Sequence, residues 1–290
     1  MTYDTYRHFH VTTPAPGVSH VEINRPEKIN AFSKPMWLEC GRLFDQLSSD
    51  ADVRAVVLSG AGTKGFSAGL DVQGGGGDLV APGGEGVDAT RKAKFLRGFI
   101  EDFQRCIGAI ERCEKPVIGV MHGIAYGLAI DIACCADVRI CTSDVRFSVK
   151  EVDIGMPADI GTLARLPKIV GSLSWVKDVC MTARVFDAEE ALRQGFVSAV
   201  YRRRDDGHGG EGEAKEEAVR AAVGMATLLA GKSPVAVQGT KELLNHGREH
   251  TTAEALRYTA VWNSVAVQGD DMAKGLGSAL ARTTPRFSKL

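Results

Sequence analysis

The stretch from Pro116 to Ile140, PVIGVMHGIAYGLAIDIACCADVRI, is almost wholly apolar and constrains the fold more than any other part of the chain. So much apolar surface belongs in a core. Its longest apolar part, Val117 to Ala136, is broken by His122 and Asp131, which leaves it short of the ~20 uncharged residues that span a bilayer. Val117 to Met121 reads as a short buried strand, Leu128 to Cys135 as a buried helix, and Val138 to Cys141 as another strand. A strand–helix–strand passage buried along its whole length argues for an α/β protein.

The flanking sequence keeps the same alternation up to about Val200. Ser19 to Ile23 predicts a strand ended by Arg25-Pro26, Met36 to Leu47 a helix, and Ala55 to Leu58 a buried strand. Between Ala93 and Ile110, Phe95, Leu96, Phe99, Ile100, Phe103, Ile107 and Ile110 recur at helical spacing, and Arg146 to Val149 predicts another strand. Gly74 to Gly86 reads as a mobile glycine-rich loop and Arg202 to Gly212 as an exposed one. Beyond it, residues 214–229, 234–245, 253–268 and 272–281 favour helix, and no fixed-period repeat is evident. The division expected is an α/β core over residues 1–200 and a helical appendage over 201–290.

Charge and cysteine usage narrow the function. The 35 Lys and Arg offset 36 Asp and Glu, so no basic footprint points to nucleic acid, and an anionic ligand must be met locally. The opening MTYDTYRHFH carries acid and imidazole where a secretory leader needs a basic end and an apolar run. The seven cysteines are odd in number and lack metal spacing, which argues for free thiols rather than disulfides or zinc. Ser288-Lys289-Leu290 is the S-K-L tripeptide read by the peroxisomal import receptor, so a peroxisomal location is expected.

The segment VVLSGAGTKGFSAGLD, from Val56 to Asp71, fits two short motifs at once. Gly60 to Gly65 matches G-x-G-x-x-G, and Gly65 to Gly69 matches the G-x-S-x-G nucleophile elbow. Both motifs need a helix to follow, yet the chain runs on through Gly69 into Gly74-Gly75-Gly76-Gly77, each glycine costing ~1 kcal/mol in a helix. Asp78 stands near the distance of a ribose-binding acid, but within those glycines. Ser67 with a downstream acid and His246 or His250 keeps a serine hydrolase as the runner-up enzyme class. The segment is otherwise a plain tight loop, or one whose backbone is functional: Gly69 allows a turn that aims the Leu70 N–H at a ligand oxygen, half of an oxyanion hole.

Three acids sit in unusual settings. Asp131 lies between Ile130 and Ile132 in the apolar helix, Glu151 follows the strand RFSVK, and Asp159 sits between Ala158 and Ile160. A single buried acid is as readily a hydrogen-bonded structural group, whereas three together point to chemistry. Asp137 reads as an ion pair with Arg139 or a turn residue, Asp153 as a cap or solvent-facing group, and the isolated His122 as a core residue.

NRPEKINAFS (Asn24 to Ser33), GFSAGLD (Gly65 to Asp71), the 116–140 stretch and KEVDIGMPADIGTLARLPKIVG (Lys150 to Gly171) together resemble the crotonase, or enoyl-CoA hydratase/isomerase, superfamily. The resemblance runs from about Ser19 to the C-terminus. It implies a spiral of β-β-α units, a C-terminal helical region that builds homotrimers or homohexamers, and an acyl-CoA thioester substrate. It also implies that Ser67, Ala68, Gly69, Leu70 and Asp71 line the CoA and thioester site, with the N–H groups of Leu70 and Leu128 as the oxyanion donors. Gly127-Leu128-Ala129 departs from the three glycines common in the family, which bears on acyl-chain preference. Hydratases of the family resemble this chain at Glu151 but carry glutamate at the place of Asp131 and glycine at that of Asp159. The trio Asp131, Glu151 and Asp159 instead resembles the branch that isomerises 3,5-dienoyl-CoA to 2,4-dienoyl-CoA in fatty acid β-oxidation. By that resemblance Asp159 is the C2 base, Glu151 the C6 acid, and Asp131 lines the pocket and tunes or stabilises charge. No metal or redox cofactor is implied, coenzyme A being part of the substrate. Enoyl-CoA hydratase, Δ3-Δ2-enoyl-CoA isomerase and a catalytically inactive acyl-CoA-binding protein are the alternatives within the superfamily.

Overall fold

The structure, a computed structural model, describes residues 2–72, 86–202 and 212–290. The loops expected at Gly74 to Gly86 and Arg202 to Gly212 lie almost wholly outside the described residues, as does Asp78. In chain order the elements are β1 (Phe9–Ala15), β2 (Val18–Ile23), α1 (Lys34–Ser49), β3 (Ala55–Gly60), β4 (Gly65–Ser67), α2 (Ala89–Ile107) and α3 (Ala109–Arg112). Then come β5 (Val117–Met121), β6 (Ile124–Tyr126), α4 (Leu128–Cys135), β7 (Val138–Thr142), β8 (Arg146–Ser148), α5 (Thr162–Ile169) and α6 (Leu173–Thr182). The chain finishes with β9 (Phe186–Asp187), α7 (Ala188–Arg193), β10 (Ala199–Tyr201), α8 (Glu213–Ala230), α9 (Pro234–Gly247), α10 (Thr252–Ala266) and α11 (Asp270–Ala281).

The strands sort into a six-stranded sheet, β1-β2-β3-β5-β7-β10, and a four-stranded sheet, β4-β6-β8-β9. Successive pairs β3-β4, β5-β6 and β7-β8 each give one strand to each sheet before the chain enters helix, so the fold winds as a spiral of β-β-α turns. Apart from the β1–β2 hairpin the large sheet is parallel. Such strands are covered on both faces, which is why AVVLSG and VIGVM are buried throughout and read as unbroken apolar runs.

The alternation of side chains along these strands feeds two cores. Val56, Leu58, Val117 and Met121 face a large cluster with α1, α4 and the aromatic side chains of α2, whereas Ala55, Val57, Ile118, Val120 and Ile140 face α8. That helix meets the sheet with Ala218, Ala222, Ala226 and Ala230, one small residue per turn, so its backbone can approach closely. The first C-terminal helix is therefore a layer of the core rather than an appendage. Four-residue spacing of alanine gives little hydrophobic signal, and only the sheet opposite reveals its purpose.

Two local readings change in three dimensions. Asp137 is paired not with Arg139 but with Lys241 of α9, Nζ to Oδ2 at 2.7 Å, while Arg139 donates to the carbonyls of Phe196 and Ala136. Nearness in sequence lost to a long-range partner that is itself buried. The helix expected over 93–110 is broken at Gly108, and the exposed Phe95 leaves its stripe only partly in the core. His122 is buried, donates from Nε2 to the Gly62 carbonyl (3.0 Å), and is pushed down to about 4 by burial, as a neutral core imidazole should be.

Candidate active site

Strands β4, β6 and β8 run parallel, and the segments leaving their C-terminal ends converge on a cavity of about 210 Å³. Ala68, Gly69 and Leu70 follow β4, Gly127 and Leu128 follow β6, and Lys150 and Glu151 follow β8. Carboxyl ends of parallel strands are where α/β proteins gather ligand-binding groups. Asp131 from α4 and Asp159 complete the polar part of the wall, and Phe99, Ile100 and Phe103 of α2 form an apolar side. A larger cleft beside α9 contains the ion pairs Lys241–Asp137 and Arg248–Glu111 and does not contain the acids Asp131, Glu151 or Asp159.

The loop after β4 is held by its own backbone. Ala68 N–H donates to the Ile29 carbonyl (2.8 Å), Asp71 N–H to that of Phe32 (2.9 Å), and Phe32 N–H to that of Gly69 (2.8 Å). Gly69 N–H is taken by Ser67 Oγ at 3.1 Å. Leu70 N–H is left without an acceptor among the described residues. Leu128 N–H is in the first turn of α4, where the helix supplies no acceptor. The two loops touch: a Cβ built at Gly69, whose φ is +95°, would lie 2.7 Å from the Tyr126 carbonyl oxygen and 3.5 Å from the Leu128 nitrogen. Glycine is required there twice over, by conformation and by space. Gly127, at φ +53°, brings its backbone to Glu151, whose Oε1 would be 3.3 Å from a Cβ at that position.

Of the residues expected from sequence, Ala68, Gly69, Leu70, Leu128, Asp131, Glu151 and Asp159 line this one cavity, and Ser67 and Asp71 do not. Ser67 is fully buried, its Oγ donating to the Asn30 carbonyl at 2.8 Å. Among the described residues no histidine hydrogen-bonds to it: His246 and His250 stack on each other in the C-terminal region at 3.7 Å between ring centroids, and His122 is occupied by Gly62. The nucleophile-elbow reading therefore fails, because the serine is spent as a turn-forming group. The G-x-G-x-x-G reading fails too, since Gly60 ends β3 and the third glycine, Gly65, opens the strand β4 rather than a helix. Those glycines serve packing: Cβ atoms at Gly60 and Gly65 would lie 2.4 Å from the Phe66 carbonyl oxygen and 2.6 Å from that of Ile124. Asp71 pairs with Arg25, Oδ2 to Nη1 at 2.8 Å, and Arg25 also donates to the Ala31 carbonyl, so this ion pair braces the loop from behind.

The acids are unneutralised. Asp131 is buried in α4, and burial, then the Glu151 carboxylate, pushes it up from 3.8 to about 7 against hydrogen bonds from Thr162 that pull it down. Thr162 donates to Asp131 Oδ1 from both its N–H (2.6 Å) and Oγ1 (2.8 Å). Glu151 is raised by burial and by Asp159, and its Oε2 is buried without a partner. Asp159 is raised by burial. The adjacent cation, Lys150, is drawn off to Asp153 (2.9 Å) and the Ala183 carbonyl. Carboxyl groups moved toward neutrality can both take and give protons at physiological pH, and free N–H groups beside them can hold an oxyanion. Among the described residues no group of His, Cys, Asp and Glu is placed to hold a metal ion.

Several contributors escaped sequence reading. Thr162 sits in a signature segment but carries no signal of its own. Gln104 donates to the Asp159 carbonyl at 2.5 Å from α2, and Phe99 and Phe103 were visible only as members of an amphipathic stripe.

A spiral of β-β-α turns that gathers free backbone N–H groups and acids at one end of its smaller sheet defines an α/β fold with one candidate active site. The profile of the enoyl-CoA hydratase/isomerase family matches residues 14–289, and the chain belongs to that family. It is 42% identical over 289 residues to the human mitochondrial Δ(3,5)-Δ(2,4)-dienoyl-CoA isomerase, covering 99% of this chain and 84% of that protein. It is 36% identical over 292 residues to the peroxisomal Δ(3,5)-Δ(2,4)-dienoyl-CoA isomerase of Arabidopsis thaliana, covering 100% of both. A crystal structure of an enoyl-CoA hydratase from Bacillus anthracis shares the fold, with TM-score 0.83 at 23% identity over 97% of this chain and 99% of that one.

Burying Asp131 carries a stability cost with a definite pH signature. Its folded pKa lies above its unfolded one, so the native state binds the extra proton between about 4 and 7, and stability falls as pH rises through that window. Asp131→Asn, which can still accept from Thr162, should be more stable than wild type at pH 8 by up to about 4 kcal/mol, with the difference shrinking toward pH 5. Urea denaturation at the two pH values measures it, and a wild type at least as stable as the variant at pH 8 would contradict the assignment.

Proposed function

We propose that this protein isomerises 3,5-dienoyl-CoA thioesters to 2,4-dienoyl-CoA by a 1,5-proton shift. The observation that carries the reading is the gathering of Asp131, Glu151 and Asp159 with the unclaimed N–H groups of Leu70 and Leu128 around one cavity. Removing a C2 proton turns the thioester into an enolate, and two N–H donors on its oxygen stabilise that charge by several kcal/mol. In a 3,5-diene the charge spreads to C6, so a base at one end and an acid at the other shift both double bonds. Asp159 takes the C2 proton, Glu151 supplies one at C6, and Asp131 tunes the charge between them. The step moves a proton and transfers no electrons to an acceptor, so these groups suffice. A third acid at Asp159 favours isomerisation over hydration within the family, and the human and Arabidopsis relatives carry isomerase names.

The two acids separate experimentally. Glu151→Gln should abolish the absorbance of the conjugated product by at least about a hundredfold yet leave deuterium exchange at C2 measurable in heavy water. Asp159→Asn should lose both. Full isomerase activity in both variants would make these carboxylates structural.

The same reading includes self-association. Leu244 of α9, Leu256, Val261 and Val265 of α10, and Leu276 and Leu280 of α11 are exposed, a larger apolar surface than isolated helices leave to water. A trimer or hexamer is expected by light scattering at micromolar concentration, and a monomer would contradict it.

Ser288-Lys289-Leu290, together with the peroxisomal Arabidopsis relative, supports recognition by the peroxisomal import receptor and a matrix location, although the human relative is mitochondrial. A fluorescent fusion should turn from punctate to diffuse when these residues are removed, and identical distributions would remove the reading.

A further inference from the structure

We infer that Gln104 is a positioning residue for Asp159, holding the backbone of that acid in place from outside the cavity. This rests on the isomerase reading above, in which Asp159 takes the C2 proton. Gln104 does not line the cavity that holds the acids. On its outer side Asp159 also lines a second cavity, of about 420 Å³, and Gln104 stands there beside it.

Asp159 lies in a stretch without regular structure, residues 155–161, between the short helical turn Glu151–Ile154 and α5. Both ends of the stretch are tied. The Gly155 and Met156 N–H groups return to the Val152 and Glu151 carbonyls at 3.1 and 3.2 Å. At the other end Thr162 N–H meets Asp131 Oδ1 at 2.6 Å, and a Cβ at Gly161 would collide with the guanidinium of Arg165, itself paired with Glu111 at 2.8 Å. Between these ties Pro157 has no N–H to give, and Ala158 and Ile160 are buried in the main core. Among the described residues, the one hydrogen bond that reaches residues 157–160 from another segment is Gln104 Nε2 to the Asp159 carbonyl, at 2.5 Å.

That bond supplies what the apolar contacts lack. Burial of Ala158 and Ile160 holds the stretch to the core, but apolar burial is non-directional, whereas a hydrogen bond to a carbonyl constrains the plane of its peptide. The carbonyl belongs to Asp159 itself, so its direction sets the bond from which the carboxyl enters the cavity. A carbonyl can only accept, so it needs the amide nitrogen of Gln104, and a thioether or a carboxylate in that place offers no donor. The helix behind Gln104 is firmly held. Phe103, the preceding residue of α2, is buried and stacked on Trp37 of α1 with ring centroids 4.8 Å apart, and Ile100 lies one turn earlier. Phe103 and Ile100 line the apolar side of the cavity, so α2 fixes that wall and the acid opposite it together.

The alternative is that this bond only adds stability, and the test separates the two. Gln104 is exposed, so water can replace its amide on the carbonyl, which satisfies the carbonyl without fixing its direction. Gln104→Met keeps the length and removes the donor; Gln104→Glu keeps the shape and puts an acceptor in its place. In both variants kcat for the conjugated product should fall about ten- to a hundredfold, the effect of moving a reacting group by about 1 Å. KM should stay within about threefold, since the Leu70 and Leu128 donors are untouched. C2 deuterium exchange should fall in parallel, in contrast to Glu151→Gln, where it survives. The midpoint of thermal unfolding should stay within about 3 °C of wild type. A crystal structure of Gln104→Met without substrate should show the Asp159 carboxyl displaced by about 1 Å or more, or residues 157–160 in more than one conformation. Wild-type kcat in Gln104→Met, survival of C2 exchange while isomerisation falls, an unmoved Asp159, or a loss of activity that only follows a large fall in unfolding temperature overturns the assignment. Failure of the wild type to make a conjugated product would instead count against the isomerase reading, while the place of Asp159 in the variant would still decide the role of Gln104.

Discussion

The contact between Gly69 and the turn at Tyr126–Leu128 governs the rest of the site. Two successive turns of the spiral pass so closely that a methyl group at Gly69 would collide with the Tyr126 carbonyl. This approach puts the Leu70 and Leu128 N–H groups on the same cavity wall. Backbone N–H groups are always present in a chain, but they become useful only where neighbouring backbone leaves them unclaimed and aimed at one point. Here the N–H groups of Ala68, Gly69 and Asp71 are bonded, through Ile29, Ser67 and Phe32, and that of Leu70 is left without an acceptor among the described residues.

Rigidity around that contact comes from both sheets. Arg25 and Asp71 brace the loop from behind, Asn30 bonds the carbonyls of Ala61 and Gly65, and the small sheet fixes the strand ends from which the loops depart. The large parallel sheet carries the stability, with α8 on one face and the main cluster on the other. Burying Asp131, Glu151 and Asp159 works against that stability, since each is raised by desolvation. A fold with this much packed core can tolerate such a site, and the proton transfers proposed for it would draw on the same low-dielectric surroundings.

Long apolar runs were legible directly. Val117 to Met121 and Leu128 to Cys135 coincide with β5 and α4 because burial on all sides leaves a continuous signal. The three-residue strands β4 and β6 were not, being too short to show a period, and β1 carries too few buried positions. The spiral leaves no fixed repeat in the sequence because its turns differ in length, although each contributes the same pair of strands. At the site, the acids stood out through their apolar neighbours, whereas Thr162, Gln104 and Arg25 are ordinary residues whose roles come from partners 31, 55 and 46 positions away.

The sequence by itself determined the α/β class, the buried elements, the family resemblance and the candidate acids, because hydrophobic period, glycine placement and an acid amid apolar residues are local properties. Only the tertiary structure decided that Ser67 is a turn-forming group, that Asp71 and Asp137 are structural ion-pair partners, and that α8 belongs to the core. It also decided which N–H groups are free and which oxygen of which carboxyl has a donor. Those outcomes depend on hydrogen bonds and close approaches between distant segments, and a distance between backbones is not written in either chain segment alone.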